Sequence, residues 1–175
     1  GRFRLTNTML MESDRGSEDS DACFFDADMD GDPDLYVTSG SNELPTTSSA
    51  LLDRLYLNDG TGQYSKSPQM LPAGRYESSS CVEPADFDGD GDLDLFVGIR
   101  LEPFQYGVPA NGYLLENDGK GQFRRIGEEI APDLARMGMI TGMKWADLEG
   151  DGDPDMVVVG DWMPVKVLVN EEGRF

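Results

Sequence analysis

A nine-residue acidic pattern occurs three times in this chain at an almost constant spacing. It reads DFDGDGDLD at residues 86–94, and its counterparts occupy residues 26–34 and 147–155, so that equivalent positions lie 60 and 61 residues apart. A period of this length with several short apolar runs in each unit is typical of propellers and other repeat arrays, because each unit must bury its apolar face against its neighbours. The pattern therefore constrains both the fold and the chemistry of the loops.

The acidic positions suit a bound calcium ion. Carboxylates this close in sequence repel one another unless a cation lies between them. Oxygen ligands at loop positions 1, 3, 5 and 9, with a backbone carbonyl at position 7 and a glycine at position 6, match a hard cation with six or seven ligands. We therefore predict one structural Ca²⁺ ion in each loop, about three in all. The candidate ligands are Asp26, Asp28, Asp30, Asp32, Asp34, Asp86, Asp88, Asp90, Asp92, Asp94, Asp147, Glu149, Asp151, Asp153 and Asp155.

The net charge of −20 is explained largely by these loops. They contain fifteen of the 34 acidic residues, which leaves 19 acidic residues against 14 basic ones. The remaining excess of acid disfavours nucleic acid as a partner, because that binding needs clustered Lys and Arg. A length of 175 residues with 38% hydrophobic residues predicts one folded domain.

Catalysis is not expected from these residues. The chain has no histidine, which is the usual general base of nucleophilic triads. Nearly every close pair of carboxylates lies inside a metal loop, and the serines at 78–80 lack the sequence context of a catalytic nucleophile. The alternative is a propeller-type enzyme or a carbohydrate-active domain whose catalytic residues lie elsewhere in the protein.

Each repeat predicts four short strands, and the chain therefore predicts an all-β fold of about three blades of four antiparallel strands. An apolar stretch precedes each loop, and a β-branched or aromatic run follows it at 35–38, 95–99 and 156–159. A third run, at 55–58, 113–116 and 165–170, ends in a turn. A fourth strand is predicted to begin at Tyr64, Phe123 and Phe175, and Phe3 occupies the equivalent position in the repeat before the first loop. Helical EF-hands are excluded because loop position 12 holds Val37, Val97 and Val158 where they need Glu. Residues 128–139 alone have helical character, interrupted by Pro132 and Gly138.

The loop, the turn and the period together resemble the FG-GAP or VCBS-type repeats related to the integrin α-subunit β-propeller. Residues 39–43, 53–60 and 159–164 are similar to bacterial VCBS proteins related to cartilage acidic protein. The resemblance implies that the calcium loop joins the first two strands of a blade, and that the chain is a secreted or surface module for adhesion, recognition or scaffolding. Glu149 departs from the pattern, since the family has Asp at loop position 3, and it predicts that the third site is the first to lose its ion.

The face opposite the metal loops is the predicted partner surface. If the loops join strands one and two, then the connections between strands two and three emerge at the other end of the blades. These connections carry Asn42, Glu43, Arg100, Phe104, Tyr106, Asp161 and Trp162. Aromatic and polar groups of this kind suit a protein or glycan ligand. Two alternatives stay open, namely that the aromatic side chains cap the blades and that the repeats offer shape alone.

Three further expectations concern cysteines, location and completeness. Cys23 and Cys81 either form a bridge or remain two buried thiols. No run of eighteen apolar residues is present to insert into a membrane, and weak calcium sites predict an extracellular or cell-envelope location. Gly-Arg-Phe occurs at 1–3 and again at 173–175, at the same position within the repeat, and this predicts that the chain comprises three blades of a larger propeller. Either a longer, seven-bladed chain or a second copy would close the ring, with residues 3–6 of that copy completing the last blade.

Overall fold

Three antiparallel β-sheets follow one another along the chain in a computed structural model that describes residues 2, 4–72, 74, 76–127 and 130–175. The first sheet contains β1 (Asp19–Phe25), β2 (Asp34–Ser39), β3 (Arg54–Asn58) and β4 (Tyr64–Lys66) in that order. The second contains β5 (Ser78–Ala85), β6 (Asp94–Leu101), β7 (Gly112–Glu116) and β8 (Arg124–Arg125). The third contains β9 (Met139–Ala146), β10 (Asp155–Asp161) and β11 (Lys166–Leu168). The predicted all-β class and its blade-like sheets are confirmed.

The fourth strands differ from the prediction in detail. β4 begins at Tyr64 as predicted, whereas β8 begins one residue after Phe123. Among the described residues the third sheet has three strands, and Phe175 donates its backbone N–H to the carbonyl of Ile130 at 2.9 Å. Phe3 lies outside the described residues, and residues 4–6 form no strand.

One short helix was not predicted. Helix α1 (Thr8–Glu12) has no side-chain cap and buries none of its residues, so its sequence carries neither signal by which helices are normally recognised. Residues 130–139 of the segment with helical character contain only a 3₁₀ turn at Pro132–Leu134, and Glu128 and Glu129 lie outside the described residues. A second 3₁₀ turn spans Ser49–Leu51. None of the helices in the described ranges is long and apolar enough to cross a membrane.

The three sheets place the acidic loops in equivalent positions. The loops connect β1 with β2, β5 with β6 and β9 with β10, and the residue before each loop pairs with the last residue of that loop. These pairs are Phe25 with Asp34, Ala85 with Asp94, and Ala146 with Asp155. The resemblance implied this placement between the first two strands of a blade, and the structure has it in all three repeats.

The hydrophobic core lies between successive sheets. One cluster joins the first and second sheets and includes Tyr36, Leu95 and Val97, each fully buried. Another joins the second and third sheets and includes Phe96 and Ile140. Burial of each large side chain contributes about 1.5–3 kcal/mol. The inner strand β5 contacts both β1 and β9, so the second sheet is held on both faces.

The outer face of the third sheet is apolar and exposed. Val159, Val165, Val167 and Val169 are 42%, 64%, 54% and 39% exposed, and we call them the valine stripe. On the first sheet, Phe24 is 64% exposed, while Tyr56 is buried and donates its hydroxyl to Asp14 in the segment before β1 at 2.7 Å. The two terminal sheets therefore lack the cover that the second sheet receives from its neighbours.

Both cysteines are free thiols, which answers the question that the sequence left open. Burial raises the pKa of Cys23 to about 12 and that of Cys81 to about 11. Thiols with such pKa values are almost entirely protonated at neutral pH, and they act here as small apolar side chains.

Candidate metal loops and the opposite face

The first carboxylate of each loop folds the loop around itself. Asp86 accepts hydrogen bonds from the backbone N–H groups of Gly89 at 2.8 Å and Gly91 at 3.1 Å. Asp147 accepts the same two bonds in the third loop, and Asp26 accepts one from Gly31. The carboxylate at position 5 accepts from the N–H of position 7 in every loop. The acidic residues therefore shape the turn as well as supplying oxygen atoms.

The last carboxylate of each loop is a buried clamp, a role that sequence reasoning missed. Asp34 accepts from Ala27 N at 2.8 Å with one oxygen and from Asn58 N at 2.7 Å with the other. Asp94 and Asp155 make the equivalent pairs of bonds. Each clamp ties the start of the loop to the end of the third strand. Since a carboxylate oxygen has two lone pairs, the clamp leaves acceptor capacity for a cation.

Carboxylate oxygens converge in the first two loops. Oxygens of Asp26, Asp28 and Asp34 lie within 4.8 Å of one another, and so do those of Asp86, Asp88 and Asp94. Three buried oxygens have no hydrogen-bond partner among the described residues, namely Oδ1 of Asp26, of Asp28 and of Asp92. A buried carboxylate oxygen without a partner is costly, so this donor set fits a hard cation such as Ca²⁺.

Burial and mutual repulsion make these carboxyls weak acids. Burial, followed by the charge of Asp90, raises the pKa of Asp92 to about 6. Burial also raises the pKa of Asp94 to about 7, against the lowering effect of the N–H from Asn117. The pKa values of Asp28, Asp34 and Asp88 are raised for the same leading reason. A bound cation would offset both effects by stabilising the ionised form.

The third loop is arranged differently. In the described ranges, its carboxylates do not form a group of three within 4.8 Å, and Asp147 and Glu149 are both exposed. Partial desolvation by the surrounding loop, followed by the charge of Asp155, raises the pKa of Glu149. The remaining predicted ligands belong to neither convergent group. Asp30, Asp90 and Asp151 are exposed, and Asp153 accepts a hydrogen bond from the backbone N–H of Glu172 at 3.2 Å. Asp32 lies beside Gly60, where an added Cβ atom would be 3.3 Å from the Asp32 Cγ.

Asparagine side chains connect the first and second loops to the following sheet. Asn117 donates from Nδ2 to the carbonyl of Ala27 in the first loop at 2.8 Å, and Asn170 donates to that of Phe87 in the second loop at 2.8 Å. Both asparagines are buried. The sequence signal was present, because Asn58, Asn117 and Asn170 all lie at or just after the end of a third strand, but it also fits a simple hairpin turn.

At the opposite end of the sheets, three of the seven predicted partner residues line a cleft of about 410 Å³. Asn42, Arg100 and Tyr106 line this polar cleft, together with residues from the inner strands of all three sheets. Arg100 donates to Asp161 from Nη2 at 2.7 Å and from Nε at 3.1 Å. The rings of Tyr106 and Trp162 meet edge to face with centroids 5.3 Å apart.

Two of the remaining candidates, Phe104 and Trp162, contact residues that line the cleft. The backbone N–H of Phe104 donates to Oδ1 of Asn42 at 2.8 Å, which joins the first and second sheets. Phe104 and Trp162 have φ angles of 67° and 54° and are 66% and 79% exposed. Bulky side chains rarely adopt such φ angles, and strain of this kind is concentrated at functional positions. Glu43 is exposed and its N–H donates to Ser41 Oγ, outside the cleft lining.

A buried carboxyl group lies behind the floor of the cleft. Asp53 accepts from the hydroxyls of Tyr36 and Ser79 at 3.0 Å each and from Ser39 N at 2.9 Å. Burial raises the pKa of Asp53 to about 7 despite these donors. Sequence reasoning did not select this residue, because a single Asp before a strand has no distinguishing pattern.

Comparison with known families locates the repeats along the chain. A family model described as an FG-GAP-like repeat matches residues 26–97 and 106–158, which include all three acidic loops. The two ranges together cover more than half of the chain. No curated protein matches the chain.

Proposed function

The chain belongs to the family of FG-GAP-like repeat proteins, and from this premise we propose that it is an extracellular, calcium-stabilised propeller module that recognises a partner opposite its metal loops. Repeats of this family form integrin-like β-propeller modules, which are typically structural or recognition domains and commonly extracellular or surface-associated. Calcium is the structural part of the proposal, and the polar cleft is the recognition part.

The unpartnered oxygens of Asp26, Asp28 and Asp92 support the calcium part. In each loop the acidic residues would hold the ion, with those at positions 1, 3 and 9 converging in the first two loops, and its charge would offset their repulsion. At an affinity of about 10⁻⁴ to 10⁻³ M, which is usual for extracellular modules, millimolar calcium stabilises by about 0.4 to 1.4 kcal/mol per site.

Thermal melts test the calcium part. We expect the melting temperature in millimolar calcium to exceed that in chelator by several degrees, because three sites add. Asp90→Ala should narrow the difference, whereas Asp59→Ala, in a β3–β4 turn, should leave it unchanged. Identical melts with calcium and chelator would contradict the proposal.

One observation carries the recognition part: candidate partner residues from three separate connections meet at one cleft. Asn42 comes from the first repeat, Arg100 and Tyr106 come from the second, and Asp161 and Trp162 come from the third. Folding has thus assembled a mixed aromatic and polar surface from segments about 60 residues apart. Such surfaces at the ends of rigid strands commonly bind ligands.

An array of purified extracellular-matrix proteins and glycans tests this surface. The labelled chain should bind a subset of the array, and Tyr106→Ala with Trp162→Ala should reduce that binding at least tenfold. Phe24→Ala is the matched control, since Phe24 is an exposed aromatic residue outside the cleft. If the double variant melts earlier but binds equally well, the aromatics cap the blades and the recognition part fails.

The exposed flanks support a further part of the proposal, in which these repeats form part of a larger propeller. The second sheet is covered on both faces, while the valine stripe and Phe24 are exposed. A further blade on each side would bury them as the second sheet is buried.

A further inference from the structure

The polar cleft is built mainly from hydroxyl groups. Seven of its twelve lining residues carry one, and they come from the inner strands and connections of all three sheets. Its volume of about 410 Å³ lies in the range of about 300–1,000 Å³ that is usual for small-ligand sites. We propose that the cleft binds a neutral saccharide, an inference that rests on the recognition part of the proposed function and specifies its ligand.

Hydrogen bonds within the protein hold the cleft hydroxyls in fixed orientations. Ser20 Oγ lies 2.9 Å from the carbonyl oxygen of Ser79, and Ser79 Oγ donates to Asp53 at 3.0 Å. Ser80 Oγ donates to the carbonyl of Ile140 at 2.6 Å. Ser79 is 1% exposed, so its hydroxyl supports the floor of the cleft and does not meet a ligand. Because the hydroxyls of Ser20 and Ser80 donate to the protein, their lone pairs remain as acceptors with defined directions. Sugar hydroxyls can donate to acceptors arranged in this way.

Asn42 supplies donors to the same cleft. Its Oδ1 accepts from the backbone N–H of Phe104 at 2.8 Å, which fixes the orientation of the amide. In the part of the chain that the structure describes, Nδ2 of Asn42 donates to no protein group, and the side chain is exposed at the cleft. The exposed hydroxyl of Thr141, on β9, also lines the cleft. Fixed donors and acceptors therefore face the same space, as binding of a polyol requires.

Aromatic rings border this hydroxyl-lined space. Tyr106 lines the cleft, and Trp162 packs against it edge to face and is 79% exposed. A pyranose ring has C–H groups on its faces and hydroxyls around its edge, so it can pack on an aromatic ring while its edge forms hydrogen bonds. Tyr and Trp combine a large apolar surface with a polar group and suit this contact.

The charges around the cleft favour a neutral ligand. The chain carries a net charge of −20, and Glu18 lines the cleft, so an anionic ligand would be repelled. The guanidinium of Arg100 is already paired with Asp161 at 2.7 Å. Among the described lining residues Glu18 is the only carboxylate, since Asp53 is buried behind Ser79 and accepts three hydrogen bonds, and a single carboxylate among seven hydroxyl-bearing residues suits a polyol better than a cation. A neutral polyol needs neither charge.

Saturation-transfer NMR and the glycan array test the inference on the whole chain in millimolar calcium. The NMR probes are the methyl glycosides of glucose, galactose, mannose, fucose and N-acetylglucosamine. We expect at least one of them, or a neutral array glycan containing it, to bind. Asn42→Asp keeps the acceptor for Phe104 N and removes the Nδ2 donor, and Thr141→Val removes a hydroxyl at nearly constant shape. Each should weaken binding about three- to tenfold without lowering the melting temperature.

Phe24→Ala is again the control and should bind like the wild-type chain. The inference is overturned if no neutral saccharide binds, or if binding is unchanged in both Asn42→Asp and Thr141→Val. If array proteins or acidic glycans are bound instead, and this binding is lost with Tyr106→Ala and Trp162→Ala, the recognition proposal stands and the saccharide inference fails. Saccharide binding that is indifferent to both sets of variants would overturn both proposals.

Discussion

Met29 has a left-handed backbone conformation at a position where the other two loops have glycine. Its φ angle is 60°, and the equivalent residues Gly89 and Gly150 have φ angles of 78° and 81°. A left-handed conformation costs a residue with a Cβ atom roughly 1–2 kcal/mol, whereas glycine adopts it without that cost. The first loop therefore carries strain that the second and third loops avoid.

We expect Met29→Gly to stabilise the protein. The side chain is 61% exposed, so little burial is lost. After allowance for the greater freedom of glycine in the unfolded chain, the gain should be about 0.5–1 kcal/mol, or roughly 1–4 °C in melting temperature. The reciprocal control is Gly89→Ala, whose added Cβ would meet no atom within 4 Å and should cost about 1 kcal/mol through φ alone. A lower melting temperature for Met29→Gly would contradict the expectation.

Asp53 should make stability depend on pH near neutrality. In the folded chain its pKa is raised to about 7 from the ordinary value of 3.8, so the folded state keeps a proton that the unfolded state has lost. The resulting stabilisation is complete below about pH 4 and is lost as the pH rises through 7. Relative to Asp53→Asn, the wild-type free energy of unfolding should fall by about 2 kcal/mol between pH 5 and 7.

Denaturant titrations of both proteins in saturating calcium measure this difference, since calcium bound as proposed would keep the loop carboxylates ionised throughout. The asparagine retains an acceptor for Ser39 N, and the hydroxyls of Tyr36 and Ser79 can rotate to accept from its amide. Two stability curves that run parallel from pH 5 to 7 would show that Asp53 is ionised in the folded state.

At the scale of the structural elements, the three loops share a backbone arrangement but differ in their carboxylates. The first two bring three carboxylates within 4.8 Å, whereas among the described residues the third, with Glu149 at position 3, does not. We expect Glu149→Asp to tighten the proposed calcium site of the third loop by up to about tenfold, since affinity depends on ligand geometry and charge. Asp88→Glu is the matched reverse change and should weaken the second site similarly.

Calorimetric titration of the two variants and the wild-type chain gives the number of sites and their affinities. If exchange of Asp and Glu leaves all three affinities unchanged, then position 3 does not hold the ion. Loss of one site in Asp88→Glu, with a gain in Glu149→Asp, would assign both positions as ligands.

Periodicity explains why the elements were predictable from sequence and why several contacts were not. The loops and strands follow from acidic spacing and short apolar runs, which depend on neighbouring residues only. Helix α1 has no cap or buried face, and the amide of Asn117 reaches a carbonyl 90 residues away. The cleft likewise depends on which connections meet in space. Contacts between residues so far apart in the sequence depend on tertiary packing, which a local sequence pattern does not determine.

For the whole molecule, the valine stripe is the surface with most consequence for behaviour in solution. An exposed apolar face on a terminal sheet promotes association, and Val159 and Val167 are 42% and 54% exposed. We expect the chain to self-associate at micromolar concentrations, and Val159→Lys with Val167→Lys to shift it toward monomer.

Light scattering coupled to gel filtration measures this shift. Val108→Lys is the matched control, because Val108 is 39% exposed but lies in a connection of the second repeat. A chain that is monomeric at every concentration would contradict the expectation. If Val108→Lys abolishes association as fully as Val159→Lys with Val167→Lys does, the valine stripe is not the contact surface.

The asparagine bonds between sheets also bear on the order in which the protein is made. Asn117 reaches back to Ala27 and Asn170 to Phe87, so each sheet bonds to a loop that the ribosome has already released. At about 5–20 residues per second, a 60-residue repeat emerges within about 3–12 s. Each new sheet can dock on its predecessor as it appears, and no sheet has to wait for a distant part of the chain. During synthesis the newest sheet therefore presents its uncovered apolar face at the point where the next segment emerges.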